Sequence, residues 1–248
     1  MMSSPSEYAS FWEHLDELRM RLIKMGIVVV LLSLMAFLFK DQLFDVVLAP
    51  RSSDFVSYRL LGGSAFSVRL INTGLTEQFM VHMRVAVYTG LLCASPYIIY
   101  ELFGFVSPGL YANERRYAVW LVGAAYLMFI LGTVLNYFLI FPLTVRFLGT
   151  YQVSDDVTNM LTLQSYIDTL ISMSFMMGVI FELPVVCRLM SRMGIINAQM
   201  MSDYRRHAIV AILVLAAIVT PTTDVFTLMV VALPIWMLYE VSIWVVKP

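Results

Sequence analysis

Six apolar segments dominate the chain, at about 22–39, 79–103, 118–139, 166–190, 208–219 and 225–246. Most are long enough for a helix to cross the ~30 Å hydrocarbon core of a bilayer. They predict an all-α polytopic membrane protein with six transmembrane helices, and they leave little chain for anything else. Composition agrees: 60% of the 248 residues are hydrophobic and 13% charged. A soluble domain is about half apolar and a quarter charged. The sequence predicts one transmembrane domain over 1–248, with an amphipathic N-terminal helix over 1–21 and loops at 40–78 and 142–165. The first run follows a polar, acidic start and lacks a small-residue cleavage pattern, so it reads as a retained anchor.

Basic residues orient the bundle, because cytoplasmic flanks carry the excess of lysine and arginine. Arg19, Arg21, Lys24, Arg115, Arg116, Arg188, Arg192, Arg205, Arg206 and Lys247 fall on one side. Lys40, Arg51, Arg59, Arg69 and Arg146 fall on the other. Both termini are therefore expected in the cytoplasm, with 40–78 and 142–165 outside. The last two helices read as short. Twelve residues at 208–219 reach about 18 Å, and the sixth segment is apolar only as far as Glu240. A shallow hairpin of this kind is accommodated by thinning the bilayer or by packing against other chains.

Several function classes are excluded. Net charge is −1, which gives no footprint for nucleic acid. No glycine precedes a lysine, so there is no P-loop, and no G-x-S-x-G elbow appears. His14, His82 and His207 are too far apart for a metal site. Cys93 and Cys187 lie within apolar runs, where a thiol behaves as a small hydrophobe. Neither an enzyme nor a cofactor or metal protein is expected, and energy for transport must come from elsewhere.

Three acidic features remain. In "FWEHLDELRMRL", residues 11–22, Trp12, Leu15, Leu18 and Leu22 form an apolar stripe. Glu17 and Arg21 stand four apart in the favourable order, worth about 0.2–0.5 kcal/mol. Glu17 reads either as Arg21's partner on an interfacial helix or as a binding acid. In "FVSPGLYANERRYAV", residues 105–119, Pro108 and Gly109 break the chain before Glu114, Arg115 and Arg116. Glu114 suits a helix N-terminus, which accounts for it without any further role. In "GVIFELPVV", residues 178–186, Glu182 lies deep in the fourth apolar segment, where a carboxylate costs about 2.5–3.5 kcal/mol. Protonation lowers that cost, and Pro184 loosens the helix beside it. Glu182 reads as an internal partner of Arg84 or His82, as a docking point for another protein's helix, or as a wet patch on a cargo path. Asp224, after "TPTT", is placed to cap the last helix.

Taken together, these motifs resemble the TatC family, the multi-spanning subunit of the twin-arginine protein translocase. His14-Leu15-Asp16-Glu17-Leu18-Arg19 is similar to the family's H-L-x-E-L-R signature. "FVSPGLYANERR" is similar to its F-x-x-P-x-L-Y-x-x-E-(R/K)-(R/K) loop, and "FELPV" at 181–185 to its fourth-helix motif. Pro50 after the first span, Ser95-Pro96 in the second and "TPTTD" before the sixth fit as well. In that last turn Thr223 stands where the family often has proline.

The resemblance implies a receptor that binds twin-arginine signal peptides of precursor proteins on the cytoplasmic side. It implies assembly with small single-span subunits, as a homo-oligomer within a larger complex, to export folded proteins with the proton-motive force. The setting would be the lipid bilayer of the cell inner membrane. By position, Glu17 and Glu114 become the signal-binding acids, with Phe105, His14 and Arg19 beside them. Glu182 and Pro184 become the partner-helix or polar membrane site, and Pro50, Pro96, Pro108 and Asp224 are structural. Two carboxylates would each bond one arginine in a charge-assisted, bidentate way that lysine reproduces poorly. The other reading is a proton-coupled secondary transporter of a small solute using Glu182, disfavoured by the lack of internal repeats.

Overall fold

A computed structural model describes residues 5–60, 68–106, 115–152, 154, 159–222 and 224–246; of these, 5–11, 13, 14, 106 and 115–119 are described as backbone only. The described chain is almost entirely helical, with α1 (Pro5–Leu38), α2 (Lys40–Leu48), α3 (Val56–Leu60), α4 (Glu77–Val106) and α5 (Arg115–Leu135) in its first half. The second half holds α6 (Phe141–Thr150), α7 (Leu163–Ile180), α8 (Leu183–Arg192), α9 (Ala198–Asp203), α10 (Arg205–Val219) and α11 (Val225–Val245). Among the described residues, five stretches are long and apolar enough to cross a membrane: Leu15–Leu38, Glu77–Phe105, Trp120–Thr150, Leu163–Arg192 and Val225–Val245. The N-terminal amphipathic stretch and the first span are one unbroken helix, α1.

Contacts divide the chain into two compact units, one of residues 1–40 and 83–126, the other of 41–82 and 127–248. In the first unit α1 and α4 run antiparallel. They meet at Gly90, where a side chain would collide with the Ser33 backbone and hydroxyl. Pro96, inside α4, has no N–H for the carbonyl of Leu92 four residues back. The Ser95 hydroxyl donates to that carbonyl at 2.7 Å instead, so the helix passes through the proline unbroken.

The second unit holds the main core. Met173, Met177, Ile180 and Phe181 pack against Ile212, Ala216 and Val219 of α10 and Val231, Ile235 and Leu238 of α11. Helix α5 approaches α7 closely, because a Cβ on Gly132 would stand 2.5 Å from the Met177 carbonyl. One residue further along α7, a Cβ on Gly178 would stand 2.7 Å from the Phe129 ring.

Two expectations from sequence are corrected in this unit. The stretch after Phe141 is not loop: the helix continues through Pro142 to Thr150. The segment Asn136–Ile140 just before it is a π-helix, which widens the turn where the proline ring would press on the Phe138 carbonyl. That carbonyl accepts from the Ser57 hydroxyl on α3. The Tyr58 hydroxyl lies 2.9 Å from the carbonyls of both Pro142 and Pro50, sharing one proton between them. Pro50 is thereby buried at the junction of the first loop with the third span.

The second correction concerns the last two helices. Helix α10 is short, at 15 residues, but α11 is not: its 21 residues run past Glu240. Glu240 lies within the helix and pairs with Arg205 of α10 at 2.9 Å. The α11 C-terminus is met by Arg188, whose Nη1 donates to the Val245 carbonyl at 2.6 Å, where a cation offsets the helix dipole.

The loops of this unit are joined by one carboxylate. Glu77, buried at the start of α4, accepts from the backbone of Thr73, Gly74 and Gln164 at 2.9–3.0 Å and from the Thr73 hydroxyl at 3.1 Å. Beside it, strands β1 (Leu70–Ile71) and β2 (Leu161–Thr162) pair in parallel, Leu70 against Leu161 and Ile71 against Thr162.

Candidate functional site

Helix α1 carries Glu17 and Arg21 one turn apart, and α4 carries Tyr97 and Glu101 at the same spacing, so each pair shares a helix face. In the first unit these faces meet. The Arg21 Nε and Nη2 donate to Glu17 Oε1 at 3.0 and 2.7 Å. Its Nη1 donates to Glu101 Oε2 at 2.8 Å and to the Glu101 carbonyl at 3.1 Å. The Tyr97 hydroxyl donates to Glu101 Oε1 at 2.9 Å. The two acids are not equivalent: the Glu17 side chain is 42% exposed and that of Glu101 only 11%. The Arg21 guanidinium bridges the two carboxylates. Glu17 is thus the more accessible of the two.

A second polar site lies in the other unit. Pro184 occupies the first turn of α8, where its missing N–H costs nothing. Its ring is incompatible with a helix continuing from Ile180. Helix α7 therefore stops at Ile180, and Phe181 and Glu182 form a turn before α8 begins. Both Glu182 carboxylate oxygens are buried and meet no hydrogen-bonding partner among the described residues. The internal ion pair left open by the sequence is thus not made by any described group. A buried carboxyl without a partner is costly.

Comparison with known proteins identifies what carries these two sites. The profile of the family described as "Sec-independent protein translocase protein (TatC)" matches residues 13–234. The chain belongs to the TatC family. Among relatives of the same description, that of Desulforapulum autotrophicum is 35% identical over 98% of this chain and 86% of its own length. That of Deinococcus radiodurans is 35% identical over 97% and 87%. A crystal structure of the twin-arginine translocase receptor TatC in DDM superposes with a TM-score of 0.80 at 31% identity, covering 95% of this chain and all of the other. This TatC-family chain is accordingly a component of a protein translocase and a multi-pass membrane protein.

The TatC motifs distribute unevenly over the described residues. Glu17 and Arg19 lie on α1, Arg19 exposed, and Phe105 lies in the last turn of α4, half-buried. The His14 side chain, Pro108 and Glu114 fall outside what is described. Asp224 is the N-cap of α11, its Oδ1 accepting from the Thr227 N–H at 2.7 Å.

Glu101 is the site residue that the sequence reading passes over. It stands at the end of an apolar run with no motif around it, and its cation is 80 residues away. An acid in a membrane segment, near the same end as Glu17, is the one available signal.

Proposed function

We propose that this chain is the receptor and core subunit of a twin-arginine translocase. It binds consecutive-arginine signal peptides on the cytoplasmic face of the inner membrane, with Glu17 and Glu114 as the acids. His14, Arg19 and Phe105 flank them, and Phe105 offers apolar surface to the hydrophobic part of the signal. The observation that carries this reading is the half-exposed Glu17 carboxylate, which already binds one guanidinium, that of Arg21, through two of its nitrogens. A guanidinium is the cation best matched to such an acid, because its planar fork makes two bonds where an ammonium makes one.

The buried, unpartnered Glu182 oxygens support a second contact, with the helix of a small single-span subunit that supplies the missing donor. Assembly with such subunits, as a homo-oligomer within a larger complex, moves folded precursors using the proton-motive force. Glu182 as the proton site of a small-solute carrier gives way to the family assignment. The same reading has six spans, α10 being the fifth and shortest, with both termini in the cytoplasm. A 15-residue helix spans about 22 Å, which calls for a thinned bilayer or neighbouring chains around it.

Photo-crosslinking of a twin-arginine precursor to membranes bearing the wild type, Glu17→Ala or Glu114→Ala tests the signal site. Each variant is expected to lose most of the crosslink. Undiminished capture by both would remove the assignment.

A further inference from the structure

Arg21 is chemically the same group as the ligand proposed for Glu17. Its guanidinium already occupies the acid that a signal arginine has to reach, through the bonds at 3.0 and 2.7 Å to Glu17 Oε1. An arriving arginine therefore competes with a cation tethered one helical turn away. Expelled from Glu17 without another partner, Arg21 would be left as a lone charge at the edge of an apolar helix, which is unfavourable.

We propose that Arg21 is a resident guanidinium on Glu17 that passes to Glu101 when an external arginine takes its place, so that Glu101 and Gly104 set how readily the receptor accepts a signal. The proposal rests on the signal-binding role of Glu17. Glu101 is already a competent acceptor: its Oε2 and its carbonyl hold Arg21 Nη1 at 2.8 and 3.1 Å. Those bonds need not break when the Glu17 bonds do. Tyr97, at 2.9 Å from Glu101 Oε1, fixes the carboxylate in position.

Gly104 is the independent sign of a built slot. A Cβ there would lie 2.8 Å from Arg21 Nη1 and 3.7 Å from its Cζ. Glycine inside a helix is unfavourable relative to alanine, and this one leaves room for the guanidinium. Through the exchange Arg21 keeps its Glu101 contacts and is never left unpaired.

The test is binding of a fluorescent synthetic signal peptide with consecutive arginines to the full chain in nanodiscs. Arg21→Gln removes the competitor and should bind about three- to tenfold more tightly. Glu101→Gln weakens the receiving acid and should bind more weakly by a similar factor. Gly104→Ala changes no charge and obstructs only the flexible end of a side chain, so the fold is retained. It too should bind about threefold or more weakly, and the effect should vanish in the Arg21→Gln background, as expected for coupled residues. Gly104→Ala carries the test alone if removing a charge prevents folding.

Weaker binding by Arg21→Gln, or an unchanged affinity in Gly104→Ala, overturns the exchange. Glu17→Gln separates the two claims. If it binds as the wild type does, the signal site itself falls. If it loses the peptide while Arg21→Gln also loses it, the site stands and the exchange fails.

Discussion

Asp224 illustrates how much one side chain in a turn can hold. Its Oδ1 receives the Thr227 N–H at 2.7 Å, satisfying one of the donors that the start of α11 cannot bond internally. Asp224→Ala should lower stability by about 1 kcal/mol, read as a lower unfolding midpoint in detergent; Asp224→Asn should largely preserve it. Burial pushes this carboxyl up, but hydrogen bonding, led by the Thr227 amide, holds it below the ordinary aspartate value of 3.8. A group with a depressed native value contributes stability above its unfolded value. That contribution is lost as pH falls through the native one. The wild type should therefore lose stability more steeply below about pH 4 than Asp224→Ala does. Glu101 differs in kind from Asp224. The cap was readable from its place before a helix, whereas the bond from Arg21 to Glu101 joins residues 80 apart and has no local trace.

At the level of elements, Pro142 carries the most instructive departure from sequence expectation. Proline after an apolar run reads as a stop, yet the helix goes on to Thr150. The π-turn at Asn136–Ile140 and the Ser57 hydroxyl together absorb what the proline removes. Ser57→Ala should cost about 1–3 kcal/mol by taking the donor from the Phe138 carbonyl. Ser57→Ala with Pro142→Ala should cost less than the sum of the two, since alanine at 142 restores a backbone N–H; unfolding midpoints of the four proteins check it. The apolar segments themselves were readable because a membrane helix needs only length and hydrophobicity. The parallel pair of Leu70–Ile71 with Leu161–Thr162 was not, being two residues long and dependent on the Glu77 clamp. The last helix was read as short because its apolar run is interrupted at Glu240, whose partner Arg205 lies on another helix.

For the whole molecule, the placement of basic residues and the proposed six spans make one joint prediction about sidedness. An alkaline phosphatase reporter inserted after Ser154 should be active, and one inserted after Asn197 should be inactive, which places the first outside and the second in the cytoplasm. The reverse pattern would invert the proposed signal site. The contacts around Pro142 also bear on how such a molecule is made. Ser57 and Tyr58 precede the carbonyls they serve by 81 and 84 residues. At about 5–20 residues per second, a ribosome completes the first loop several seconds before the third span exists. The residues that finish this helix are therefore synthesised before the segment that needs them. The third span is the product of an order of events: moved to the front of the chain, the same residues would emerge with no waiting donor.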